Sequence, residues 1–108
     1  MNTQQLQRLI SFLQEEISEE LQLNTLAVFL VIAEKGDCTQ QDVETALNID
    51  QPSASRNVSY WTTRRADRKP GMGFIDRVED DYDRRFKRLR LSKKGKAFLE
   101  RLQDKLLG

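Results

Sequence analysis

Between Gln51 and Thr63 stand an amide, a guanidinium and hydroxyls that could together contact a polyanion: Gln51, Ser53, Ser55, Arg56, Ser59, Tyr60 and Thr63. Arg64, Arg65, Arg68 and Lys69 follow at once, and Arg84, Arg85, Lys87 and Arg88 form a second cationic group. A guanidinium can donate two parallel hydrogen bonds to a guanine edge or a phosphate. A serine hydroxyl donates or accepts at either, and its small size lets surfaces approach closely. Together these groups can hold and read a polyanion.

Bond-making chemistry finds little support. With no histidine, neither a Ser-His-Asp arrangement nor a histidine metal site can be built. There is no Walker loop, and Gly71-Met72-Gly73 lacks the strand-to-helix setting of a nucleotide motif. Glu15, Glu16, Glu19 and Glu20 could hold a divalent ion, but they read better as a solvated helix face. Cys38, the single cysteine, cannot form an internal disulfide. It reads as a small buried apolar residue rather than a redox switch. No enzymatic activity, cofactor or metal is expected.

The charges are segregated. Residues 1–55 hold two basic side chains against nine acidic ones, residues 56–90 eleven against six, and residues 91–108 five against two, within a total of +1. A basic half on an acidic body suits a polyanion-binding face, although charge runs also serve simply to solvate a surface. The longest apolar run, Leu26 to Ala33, is eight residues, far short of the roughly 20 a membrane-spanning helix needs. The first five residues lack the basic-then-apolar order of a signal peptide. With one unpaired cysteine, a reducing cytoplasm is the expected compartment.

Several elements must position these groups within one domain of 108 residues. Leu6, Leu9, Ile10, Leu13 and Ile17 recur at helical spacing and predict an amphipathic first helix. A second, almost wholly apolar helix should start with Asn24 or Thr25 as its cap and stop at Gly36. Thr39 and Asp42 have the spacing of a capping box for a short helix from Gln40 to Leu47. After the turn Asn48-Ile49-Asp50, Asp50 caps a fourth helix with Pro52 in its first turn, running to about Arg65. Phe74 to Val78 and Phe86 to Leu91 read as two strands around a polar turn, with a further short strand near Cys38. Ser92 caps a last helix carrying Phe98, Leu99, Leu102 and Leu106 as its apolar stripe.

Two helices joined by a tight turn, the second rich in small polar residues, have the form of a helix-turn-helix. At about 100° per residue, Ala54, Val58 and Trp61 form the buried stripe of the fourth helix. Arg56, Ser59, Tyr60 and Thr63 point the other way, with Ser53 and Ser55 on the flanks. Trp61 and Phe74 could act as base-stacking platforms, but Trp61 falls on the buried stripe and is expected in the core.

From Leu23 to Ala97 the chain resembles the MarR family of winged helix-turn-helix regulators. Thr39-Gln40-Gln41-Asp42-Val43 followed by Gln51-Pro52-Ser53-Ala54-Ser55-Arg56 is similar to the family's helix-turn-helix. Gly73-Phe74-Ile75-Asp76-Arg77 resembles the strand that begins the wing, and Asp83-Arg84-Arg85, Leu89, Leu91, Ser92 and Gly95 resemble its most specific pattern. The segment from Thr62 to Met72 is longer than the family's usual link, and the termini are short for the family.

The resemblance implies a mainly α fold with a small antiparallel sheet. Its parts would be a helix-turn-helix over 39–65, a wing over 73–91, and dimerisation helices over 1–22 and 93–108. Leu6, Leu9, Ile10, Leu13, Ile17, Phe98, Leu99, Leu102 and Leu106 become the interface of a two-fold homodimer. The fourth helix would enter the major groove of double-stranded DNA while the hairpin reaches the minor groove. Ser53, Ser55 and Arg56 become groove or phosphate contacts, and Arg84 or Arg85 the wing-tip arginine, with Asp83 a local partner that orients it. Arg64, Arg65, Arg68 and Lys69 are read as additional phosphate contacts rather than a linker. The implied function is a sequence-specific transcriptional regulator, a repressor by occupancy, whose effector, if any, is unknown. The alternatives are a winged helix used for protein–protein interaction and a sequence-independent architectural or replication-associated DNA binder.

Overall fold

Local cap chemistry sets most of the element ends. In the computed structural model, which describes residues 1–63, 69–83 and 85–107, the order is α1 (Thr3–Glu16), α2 (Leu23–Lys35), β1 (Cys38–Thr39), α3 (Gln40–Leu47), α4 (Gln51–Trp61), β2 (Ile75–Glu79), β3 (Lys87–Leu91) and α5 (Lys93–Leu107). Asn2 and Gln5 exchange side-chain-to-backbone hydrogen bonds of 2.8 and 2.9 Å and so open α1. Thr39 and Asp42 do the same at α3, over 3.2 and 2.9 Å. At the other end of α3, Asn48 takes a left-handed conformation with φ 52°, and its N–H donates back to the carbonyls of Glu44 and Thr45. Asp50 then accepts from the Ser53 N–H at 2.8 Å and starts α4, with Pro52 in the first turn. Gly36 ends α2 at φ 79°, a conformation that costs glycine little.

Three boundaries differ from those the sequence predicts. The first helix stops at Glu16, short of residue 22. The second begins at Leu23, behind Gln22, before the expected caps Asn24 and Thr25. Thr25 is occupied elsewhere: its hydroxyl donates to Asn57 Oδ1 at 2.7 Å, and its carbonyl accepts from the indole N–H of Trp61 at 2.7 Å. The fourth helix ends at Trp61 rather than Arg65. Its last carbonyls are taken by the returning chain, since Met72, Phe74, Gly73 and Gly71 donate to Tyr60, Trp61, Thr62 and Thr63 respectively, over 2.7–3.1 Å. Gly71 permits that approach, because a Cβ there would run into the Thr62 carbonyl.

The three strands form one antiparallel sheet in the order β1-β3-β2, pairing Cys38 with Leu89 and Ile75 with Leu91. The two hairpin strands begin at Ile75 and Lys87, each one residue later than predicted. Ser92 caps α5 by accepting from the Gly95 N–H at 3.0 Å, while its own hydroxyl donates to the Gly73 carbonyl at 2.6 Å.

The core gathers where α2, α4, β2 and α5 meet. Phe29, Trp61 and Phe98 are fully buried and Phe74 nearly so. Their rings sit 4.7–6.2 Å apart in stacked and edge-on pairs, separations at which aromatic pairs attract beyond simple burial. Trp61 is thus a core residue, and its N–H is satisfied. Within α4, Asn57 donates to the Ser53 carbonyl at 2.9 Å, which holds the side chain whose Oδ1 accepts from Thr25 of α2. Cys38, 1% exposed, fills the end of the core under the sheet.

Phe29 touches three of the other core rings, so Phe29→Ala should lower unfolding free energy by about 3–5 kcal/mol. Urea denaturation followed by Trp61 fluorescence measures this; a loss under about 1 kcal/mol would show that the ring cluster does not hold the fold together.

Candidate nucleic-acid interface

The α3–turn–α4 unit and the β2–β3 hairpin flank a cleft of about 410 Å³. Gln40, Gln41 and Glu44 line one side together with Gln51 from the first turn of α4; Arg77, Arg85 and Lys87 line the other. The strand register produces this arrangement. Ile75, Arg77 and Glu79 alternate onto one face of β2, opposite Leu91, Leu89 and Lys87 of β3. The buried ends of those strands face the core, and the cations continue the same face outward.

The turn at the hairpin tip is built by carboxylates. Asp80 Oδ1 accepts from the N–H groups of Tyr82 and Asp83 at 2.8 and 3.2 Å. Asp83 holds Arg85 through both carboxylate oxygens, at 2.8–3.2 Å, while the Arg85 side chain stays 86% exposed. Asp83 therefore orients Arg85. Arg84, the other candidate for the wing tip, lies outside the described residues, as do Arg64, Arg65 and Arg68; Lys69 is exposed.

On α4, Gln51, Arg56 and Thr63 are exposed, and Ser53 and Ser55 are half-buried. Arg56 reaches Ser53 Oγ at 3.5 Å. Two expected members of the outward face are placed otherwise. Ser59 is buried, at 7% exposure, and Tyr60 is half-buried with its ring edge-on to Trp61 at 5.2 Å. An angular projection treats the helix as isolated, whereas α3 packs along α4 and the segment from Gly71 to Phe74 returns along its last turn.

On β3, Lys87 pairs with Glu79 at 3.1 Å. Arg88 turns to the opposite face from the cleft, where its Nε donates to Asp37 Oδ1 at 2.9 Å. Sequence reasoning missed Arg77, Gln40 and Gln41. Period-two alternation from the apolar Ile75 was the available signal for Arg77.

The expected dimer residues divide. Phe98 is fully buried, and Leu13 and Leu102 are 5% and 4% exposed, so these three belong to the core of the single chain. The cause is that α1 and α5 pack on each other: Phe12 stacks on Phe98 at 5.8 Å, and Arg101 bonds Glu16 at 3.3 Å. Leu9, Ile17, Leu99 and Leu106 are half-buried, whereas Leu6 and Ile10 remain exposed. Among the described residues, no group of acidic, cysteine or histidine side chains could hold a metal, and no helix is long and apolar enough to cross a membrane.

A helix-turn-helix followed by a two-stranded wing, with the first and last helices paired, is a winged helix-turn-helix fold. No protein-family model and no curated protein matches the chain by sequence. Solved structures do match. A probable transcriptional regulator from Pseudomonas aeruginosa superposes with a TM-score of 0.66 at 24% identity, covering 94% of this chain and 71% of that one. A mutant MarR from E. coli complexed with operator DNA gives 0.70 at 18% identity, covering 99% and 68%. The YusO protein from Bacillus subtilis gives 0.70 at 12%, covering 95% and 65%. At these identities the likeness is one of fold.

Four carboxylates are held below their ordinary range: Asp83 first by the Arg85 side chain, Asp37 by Arg88, Asp42 by the Thr39 N–H and Asp50 by the Ser53 N–H. Depressed folded-state values mean that their stabilisation is fully present above the unfolded value of about 3.9 and lost as pH falls through the folded values. With no histidine to titrate, the thermal midpoint should stay level from pH 6 to 8 and drop below about pH 4. A midpoint falling steadily from pH 7 to 5 would contradict this. Burial, followed by the nearby Asp42 charge, pushes the Cys38 thiol up. A disulfide reagent at pH 8 should therefore leave it unlabelled until the chain is unfolded in urea, and prompt labelling of the folded chain would refute its burial.

Proposed function

We propose that this chain is a double-stranded DNA-binding transcriptional regulator that acts as a homodimer and represses by occupying its operator. The observation that carries the reading is the pairing of two surfaces across one cleft. Gln51 of α4 stands at the cleft with Gln40 and Gln41 of α3, and Arg77, Arg85 and Lys87 stand across it on the hairpin. Arg56 is exposed on another flank of α4, near Thr25, Asn57 and Tyr60. In this reading Arg56 takes a base edge, Gln51, Ser53 and Ser55 take bases or nearby phosphates, and the hairpin cations hold the flanking backbone. Arg64, Arg65, Arg68, Lys69 and Arg84 add phosphate contacts. A fold shared with a protein that was solved on operator DNA supports the reading. So does the segregation of positive charge into residues 56–108, since an extended cationic surface steers a protein to a polyanion. Leu6 and Ile10, at 45% and 54% exposure, offer apolar surface for the second protomer. A two-fold dimer would read half-sites about 34 Å apart.

The test is selection of bound sequences from a random duplex library, with the chain and with Arg56→Ala. A palindrome should emerge, and the variant should lose base preference at one position per half-site, by about 1–3 kcal/mol. Uniformly weaker binding with unchanged selected sequences would move Arg56 from base reading to phosphate contact. Absence of any enriched sequence would remove the regulator reading altogether.

A further inference from the structure

Two arginines of the hairpin stand apart from the cleft. Arg88 and Arg90 lie on the face of β3 opposite to Lys87 and Leu89, and both turn toward Asp37 in the connection between α2 and β1. Arg88 Nε donates to Asp37 Oδ1 at 2.9 Å and Arg90 Nε donates to Oδ2 at 3.2 Å, so one carboxylate serves two guanidiniums with a separate oxygen for each. A further bond of 3.4 Å runs from Arg88 to the Asp37 carbonyl. Asp76 stands opposite Arg90 on β2, while Val78 and Thr39 stand opposite Arg88. The group is reachable from solvent, with the side chains of Arg90 52%, Asp37 43% and Arg88 29% exposed, so a phosphate could reach both cations if Asp37 did not hold them.

We infer that Asp37 is a specificity-determining residue of the DNA-binding surface: it withholds Arg88 and Arg90 from phosphate, confining backbone contact to the cleft side of the hairpin. This rests on the DNA-binding reading and deepens it. Phosphate contacts carry no sequence information, and they raise affinity for any duplex. Two free guanidiniums on the far face of the hairpin would add such contacts out of register with α4. Tying them to a carboxylate in the chain preserves the difference between an operator and random DNA. The same bonds join the hairpin to the residue that precedes the helix-turn-helix, which keeps the two reading elements at a set separation.

The experiment compares the salt dependence of binding to a random duplex for the full chain, Asp37→Asn, and the triple variant Asp37→Asn, Arg88→Gln, Arg90→Gln. Each added phosphate contact steepens the logarithmic salt slope by about 0.9. Asp37→Asn should therefore steepen it by up to about two, widening the affinity ratio between 50 and 200 mM salt about tenfold. Its preference for the selected palindrome over random duplex should fall, and the triple variant should return the slope to that of the unaltered chain. A slope unchanged or shallower in Asp37→Asn overturns the inference while leaving the DNA-binding reading intact. Failure of the unaltered chain to bind duplex overturns both. Should Asp37→Asn fail to fold by circular dichroism, the Arg88→Gln, Arg90→Gln pair alone decides: an unaltered slope supports masking, and one shallower by about two overturns it.

Discussion

The position of α4 depends on Trp61. Its indole is fully buried between Phe29 and Phe74, and its one polar atom is satisfied by the Thr25 carbonyl at 2.7 Å. A buried N–H without a partner would carry a penalty of about 1–3 kcal/mol, so the side chain fits in one orientation. That orientation fixes the roll of α4 about its axis, and Asn57, bonded to Thr25 one turn earlier, fixes it again. Arg56 and Gln51 face outward because Trp61, Val58 and Ala54 face inward. The buried and the exposed faces of α4 are thus set by one packing arrangement.

The hairpin is positioned by different means. Its base is welded to the end of α4 by four backbone hydrogen bonds and to α5 by Ser92. Its tip is organised by Asp80 and Asp83, and its outer face is drawn toward Asp37. Such exposed ion pairs add little to stability. Their effect is to set which cations can leave their partners. Arg85 and Arg88 are neighbours in the same cationic cluster, yet one extends from the tip at 86% exposure and the other is drawn in to 29%.

Features decided by neighbours in sequence were legible in advance. The Thr39–Asp42 box, the Asp50 cap, the Gly36 stop and the Ser92 cap each need only three or four residues, and each stands where the pattern places it. The apolar stripes of α1 and α5 were legible as stripes, but not what they pack on. Phe98, Leu13 and Leu102 satisfy the same periodicity whether they meet another chain or their own. The early end of α4 was hidden for a related reason: it depends on the chain that returns about ten residues later. Arg88 was legible as a cation, while its partner lies 51 residues away. Short-range chemistry is written locally, and the allocation of surfaces is not.

The rails between residues 60–63 and 71–74 also separate two design problems. Because the chain is clamped at Thr63 and again at Gly71, the stretch between them is closed at its base by backbone hydrogen bonds. Doubling the length of such a closed segment costs only about 0.6 kcal/mol in chain entropy. The clamp thus lets that stretch lengthen at small cost while four backbone bonds go on holding α4 to the hairpin.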